Sequence, residues 1–432
     1  MESAYTPRHR NRHYKWAVVG MLWFVCFFNY ADRQAISSVF PILKKEFGFR
    51  AVQLGLIGSA FMWVYALGAP FAGFLADRLP RKQLILGGCL LWSGVTVMTG
   101  WCGRLWQFVT VRALEGLGET FYFPATMSLV SDYHDGRTRS RAFSLHQSSV
   151  YIGTIAGSWA GAWFAEAHGW RTGFYFFGCA GVVLALVLYC FLREPARGAV
   201  EGAGQAVLPP LGVREVARVI FRKPTVLLLM AAFLGANFVA TIFLTWTPTF
   251  LVEKFAFKLT AAGLSGSVYI HLASALSVPL GGVLADRLAR HFVGGRMLVQ
   301  AFGLLVGASF VGLVGLTSSV TTLLASMTLF GLSKGFYDAN IFASLFDVIE
   351  PRARATAAGI MNTVGWGGGA LGPLAVGFAT QYGRHEKPID NMSEAIAFGA
   401  IIYVISAGLL LWAAFGFAGR DMVRVATPAR GL

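Results

Sequence analysis

Gly73-Phe-Leu-Ala-Asp77-Arg78-Leu-Pro-Arg81 and Gly282-Val-Leu-Ala-Asp286-Arg287-Leu-Ala-Arg290 agree at seven of nine positions. Each follows a long apolar run. A second set of matches shares one offset of 215 residues: Gly116-Leu117 with Gly331-Leu332, Phe121-Tyr122 with Phe336-Tyr337, and Asp132, Arg137 and Arg139 with Asp347, Arg352 and Arg354. Chance could give one such match; two in the same order indicate an internal duplication. Duplicated blocks of apolar segments predict two related bundles with a site held between them near the bilayer midplane.

The composition agrees. Of the 432 residues, 56% are hydrophobic and only 13% charged, against about 25% charged in a soluble domain. Apolar runs of about 20 residues, enough for a hydrocarbon core of roughly 30 Å, recur at 15–42, 51–76, 84–101, 106–131, 139–166 and 171–193, then at 223–252, 260–285, 296–316, 320–347, 354–380 and 394–418. The expected fold is an all-α membrane protein, twelve transmembrane helices in two pseudo-symmetric six-helix bundles. No run alternates polar and apolar residues as a β-barrel would. The 51 glycines suit helices that pack closely in lipid. Expected domains are a cytoplasmic tail (1–14), a first bundle (15–193), a Pro/Gly-rich then basic cytoplasmic linker (194–222), a second bundle (223–418) and a cytoplasmic tail (419–432).

The net charge of +15 is spread in a way that argues for topology rather than nucleic-acid binding. Twenty-four Lys and Arg fall in the tails and even-numbered loops, nine in the opposite loops and three (Arg33, Arg112, Lys334) within spans. Basic loops stay inside, so an inner (plasma) membrane protein with both termini cytoplasmic is expected. The basic start leads into a span too long and too charged for a cleavable signal peptide. The five cysteines form no CxxC and no metal-type spacing with histidine, which reads as buried free thiols.

A charge at mid-membrane costs from about 2.5 to more than 10 kcal/mol and therefore faces a partner or a wet cavity. Asp32, Arg33, Arg112, Glu115, Glu119 and Lys334 are such charges, with Asp338 close behind. Arg112, Glu115, Glu119 and Tyr122 are spaced three, four and three and share a helix face. They make either a structural ion pair or a titrating carboxylate, because burial makes a carboxylate hold its proton and a nearby Arg loosens it. Asp32 and Arg33 lie about 100° apart on their helix, so Arg33 can fork onto a carboxylate ligand or be fixed by an acid on the fourth or tenth span. Lys334, Tyr337 and Asp338 are spaced i, i+3 and i+4, and Lys334 takes the repeat position of Glu119. They read as a cationic wall for an anion or as a closed Lys334–Asp338 pair. Tyr30, Gln34, Gln147, Asn237, Thr241 and Asn362 line a cavity or bond neighbouring helices. His146 and His271 read as satisfied structural histidines.

Gly73 to Lys82, its second copy, and Arg112, Gly116 and Gly118 in the fourth span resemble the major facilitator superfamily over essentially the whole chain. Asn29-Tyr30-Ala31-Asp32-Arg33 and Gly116-Leu117-Gly118-Glu119, with Pro124, resemble its anion:cation symporter group, and also its Spinster-like branch. The first likeness implies proton-coupled symport of a small organic anion, a sugar acid such as a hexuronate or aldonate, by alternating access. It makes Asp32 and Glu119 proton carriers, Arg33 the holder of the substrate carboxylate and Arg112 the link, with Glu115 beside them. The second implies lysolipid or sphingoid-lipid transport. Asp77, Arg78 and Arg81, with Asp286 and Arg287 as twins, are expected to form a cytoplasmic gate. No HExxH, GxSxG, CxxC or P-loop signature is present, so no enzyme chemistry, metal or cofactor is expected. The expected partners are the anion, protons and membrane lipid, with no nucleic acid, and the protein is expected to be monomeric.

Overall fold

The computed structural model describes residues 13–76, 78–135, 138–195, 213–350 and 353–422. Asp77, the linker residues 196–212 and most of both expected tails lie outside the described residues. The first half comprises α1 (Tyr14–Ser38), α2 (Phe40–Phe47), α3 (Ala51–Ala76), α4 (Arg81–Thr99), α5 (Leu105–Thr120), α6 (Tyr122–Tyr133), α7 (Arg139–Ala167) and α8 (Trp170–Phe191). After the short α9 (Val213–Arg222), the second half comprises α10 (Pro224–Phe255), α11 (Leu259–Ala289), α12 (Gly295–Leu316), α13 (Val320–Asp338), α14 (Ile341–Val348), α15 (Arg354–Tyr382) and α16 (Pro388–Trp412), with α17 (Ala418–Asp421) at its end. Among the described residues there is no strand.

The twelve expected spans are present, and three of them are broken. The first becomes α1 plus α2, where Pro41 restarts the helix. The fourth becomes α5 plus α6. Pro124 cannot donate to the carbonyl four residues back and crowds it, and the break falls at Phe121. The tenth becomes α13 plus α14 without a proline. Here the Asn340 side chain donates to the carbonyls of Phe336 (3.0 Å) and Gly281 (3.2 Å), which eases the interruption. Among the described residues, six helices are by themselves long and apolar enough to cross a membrane, in whole or in part α3, α8, α10, α11, α12 and the segment from Pro388 to Asp421. Of the other spans, α1 carries charge within it, the fourth and tenth are interrupted, and α7 opens on polar residues.

Large apolar side chains such as Phe71, Phe191, Leu276 and Leu316 are exposed, whereas Asp32, Glu115 and Glu119 are buried. This is the inside-out arrangement that a lipid solvent demands. Within the halves, α1 packs on α7, α4 on α8, α11 on α13 and α12 on α16. The α1–α7 contact is closest at Gly157, where an added side chain would run into the backbone of Ala31. Between the halves, α3 runs along α15, and α7 along α11.

Each half holds one anchored arginine near its copy of the motif. Arg81 is buried at the start of α4, where Nε donates to Glu194 at 2.8 Å, Nη1 to Ser128 at 3.2 Å and to Asp132, and Nη2 to the Pro195 carbonyl at 3.1 Å. Its counterpart is Arg296, which donates to Asp347 at 2.7 Å and to Asp286 at 2.6 Å. Matching by motif aligns Arg81 with Arg290, yet Arg290 and Arg287 are exposed. In the second copy α11 continues through the motif to Ala289 before the turn to α12, so the anchor moves six residues on to Arg296, which restores the 215-residue offset. These bonds tie helices together within each half. Arg78 lies exposed in the turn after α3.

Arg81→Ala and Arg296→Ala should each lower the thermal unfolding midpoint measurably, at a cost of about 1.5–3 kcal/mol for lost charged hydrogen bonds. Arg290→Ala should leave it unchanged. An Arg290→Ala loss equal to that of Arg296→Ala would refute this pairing.

Candidate functional site

Arg33, on α1, is the centre of the charged cluster. Its Nε donates to Oε2 of Glu119 on α5 at 2.9 Å, Nη2 reaches the same oxygen, and Nη2 also donates to Asn29 Oδ1 at 3.2 Å. Four aromatic rings surround the guanidinium: Tyr30 and Phe61 at 4.4 Å, Tyr65 at 5.5 Å and Trp366 at 5.6 Å from Cζ to ring centroid. Trp366 comes from α15, so a side chain of the second half closes over an arginine of the first. Ring faces attract a cation, most strongly where water is excluded. Glu119 Oε1 is buried and accepts no hydrogen bond.

Arg112 pairs with Glu115 one turn along α5, and its Cζ lies 5.0 Å from the Phe61 centroid. Phe61 thus touches both arginines, and Arg112 Nη2 also donates to the Arg33 carbonyl at 3.5 Å. Asp32 accepts from the Arg33 amide at 2.7 Å and from the Thr96 hydroxyl of α4 at 3.2 Å. The carboxylates of Asp32, Glu115 and Glu119 each bring an oxygen within 4.8 Å of the others. Three acids against two guanidiniums carry one uncompensated negative charge when all are ionised, so the cluster can hold a proton or a cation.

A cavity of about 220 Å³ lies between the halves beside this cluster. Of the expected substrate-binding residues, Tyr30, Arg33, Gln34, Gln147, Asn237, Lys334 and Asp338 line it, as does Arg112. Tyr122, Tyr337 and Asn362 do not. Tyr122 is buried in the first half, with its hydroxyl on the Leu22 carbonyl (2.7 Å) and His146 Nε2 (2.8 Å). Tyr337 is buried within the second half, because the turn of α13 that aims Lys334 at the cavity aims Tyr337 away from it. Lys334 is paired with Asp338. His271 lines the cavity 6.2 Å from the ring of Tyr151. The sequence reading missed Tyr151, Thr154 and Met62. Gln147, Tyr151 and Thr154 are spaced four and three along α7, a periodicity that would have revealed the first two.

Internal prolines shape the cavity walls. Pro248 in α10 frees the carbonyl of Leu244, and Gln34 Nε2 donates to it across the halves at 2.6 Å. Pro373 in α15 frees the carbonyl of Gly369, and the Thr241 hydroxyl donates to it at 2.7 Å. Side chains that looked like free ligand groups are thus committed to backbone that lipid cannot hydrate.

Comparison with known proteins fits this architecture. The Major Facilitator Superfamily profile matches residues 22–373 and 251–427. The chain is 27% identical to the chloroplastic ascorbate transporter of Arabidopsis thaliana, over 93% of this chain and 74% of that one. It is 25% identical to the "probable galactarate/D-glucarate transporter" of Escherichia coli, over 87% and 89% respectively. Among solved structures, a bacterial homolog of the human lysosomal transporter Spinster, inward-facing and unoccupied, superposes with a TM-score of 0.84 at 21% identity, covering 96% of this chain and all of that one. The chain belongs to the Major Facilitator Superfamily and is a multi-pass membrane transporter.

Proposed function

We propose that the protein carries a small organic anion, a sugar acid, together with protons by alternating access. Arg33, which lines the cavity and is paired with Glu119 behind it, carries this reading. An anion that takes the Nε–Nη2 edge of the guanidinium displaces Glu119. The displaced carboxylate would be buried among two other acids, a costly state unless it is neutralised. A proton on Glu119 removes that cost and frees the fork of Arg33 for the incoming carboxylate. Anion and proton therefore enter together, and neither is stable in the site alone. Asp32 and Glu115 share the proton with Glu119, and Arg112 holds Glu115 in place. Across the cavity, Lys334 adds positive charge when Asp338 is drawn away from it. The names of the ascorbate and galactarate/glucarate relatives support the substrate class.

The bias of basic residues supports both termini in the cytoplasm, and an inner membrane is the location proposed. The halves are then joined at the outer face, and the conformation is inward-facing. Lysolipid is the alternative cargo, favoured by the apolar stretch of the lining (Met62, Val150, Phe243, Ile270, Phe330).

Two measurements test the reading. In proteoliposomes with an inward proton gradient, the wild type should accumulate glucarate, and Glu119→Gln should bind and exchange it without accumulating it. If Glu119→Gln concentrates glucarate against its gradient, the coupling role is wrong. By calorimetry, Arg33→Ala should weaken glucarate binding by roughly 10- to 100-fold, the worth of a charged hydrogen-bonded fork, and Arg33→Lys should recover little of it. Uptake of lysophosphatidylcholine but not of glucarate would move the assignment to lipid.

A further inference from the structure

The halves are stitched together at the face that carries α2 and the starts of α3 and α11. Two of the stitches occupy matching places. Glu166, in the last turn of α7, accepts from the backbone N–H of Thr260 at 3.0 Å and from the Thr260 hydroxyl. Gln381, in the last turn of α15, accepts from the backbone N–H of Val52 at 3.3 Å. Glu166 and Gln381 are 215 residues apart, the offset of the internal repeat. Thr260 and Val52 are each the second residue of their helix.

A helix start leaves its first N–H groups without partners. The residue just before it usually satisfies one with a Ser, Thr, Asp or Asn side chain. Here those residues are Arg50 and Lys258, whose side chains only donate. Lys258 makes no side-chain cap. Before α3, Gln53 accepts from the Arg50 amide at 2.8 Å, which leaves the Val52 N–H to another partner. Each cap therefore comes from the opposite half. Small residues let the backbones approach at both places: a side chain at Gly263 would strike the Ser158 carbonyl, and one at Gly377 would strike that of Ala51. Lys44 and Glu253, 2.7 Å apart, add a charged link between α2 and α10.

We infer that this exchanged pair of helix caps is the latch of the sealed face: each half supplies the cap that the other half's helix lacks. The caps exist only while the face is closed, and both are lost when it opens. Glu166 is exposed and Gln381 half-buried, so water can replace the lost bonds and the latch stays weak enough to release. This device is independent of what the cavity carries, so it stands or falls separately from the substrate assignment.

The test uses the full-length protein in nanodiscs, with spin labels at Ala167 and Glu386 on either side of the face and with Cys179 and Cys190 replaced by Ser. Electron-spin distance distributions should show mainly the short, closed distance in the parent protein. Glu166→Ala and Gln381→Ala should each raise the open-to-closed ratio about fivefold, as expected for loss of one typical cap, and the double variant about 25-fold. Glu166→Gln keeps an accepting carbonyl, as Gln381 has, and should stay within about twofold of the parent. Thr260→Pro removes the donor at a helix position that tolerates proline, as Pro41 shows in α2. It should match Glu166→Ala and add nothing to it. A double-alanine variant with the parent distribution, or full additivity of Thr260→Pro with Glu166→Ala, would overturn the proposal.

Discussion

A guanidinium can sit inside a bilayer protein only where opposite charge and polarisable surface enclose it, and Arg33 has both. Glu119 holds it from α5, and four aromatic rings surround it, one of them from the other half of the molecule. The rest of the site follows from that confinement. Glu119 bridges α5 to α1, and the acids Asp32 and Glu115 come within a few ångströms of it. The second arginine balances that charge through its pair with Glu115. A buried ion pair of this kind is poor as a source of stability, since desolvating both partners offsets their attraction. It is well suited to a site that must open and re-form.

The same need to satisfy every polar group in lipid governs the backbone. Prolines at 248 and 373 release carbonyls at the level of the cavity, and Gln34 and Thr241 take them up. The Gln34 bond crosses between the halves, so its geometry is tied to how the halves sit against each other. Bent helices with satisfied breaks let a cavity form between straight bundles while no unpaired carbonyl faces acyl chains.

Duplication supplied the frame and divergence the chemistry. Arg81 with Asp132 and Arg296 with Asp347 do the same anchoring in the two halves. Glu166 and Gln381 cap opposite helices in the same way. At the repeat position in mid-membrane, by contrast, one half has Glu119 and the other Lys334, so Glu119 sits behind the cavity paired with Arg33 while Lys334 lines the cavity beside Asp338. Structural contacts were kept by symmetry, and the charged site broke it.

Length, apolarity and the 215-residue repeat determined twelve spans in two halves, because a bilayer leaves almost no other way to bury such segments. Helical spacing alone placed Arg112, Glu115 and Glu119 on one face, and the cost of charge in lipid marked Arg33 as needing a partner. Which acid it takes was not legible: Glu115 and Glu119 share a face of α5, and only the way the bundle sets α1 and α5 across from each other gives Glu119 to Arg33 and Glu115 to Arg112. Tyr122 and Tyr337 kept the correct period but turned away from the cavity, since a span packed on several sides has polar positions on more than one of them. The true counterpart of Arg81 was hidden because α11 runs on through its copy of the motif, which shifts the anchor six residues along the chain. Local sequence sets period and charge; the rotation of each helix, and hence which side chains share a space, is decided by contacts between residues far apart in the chain.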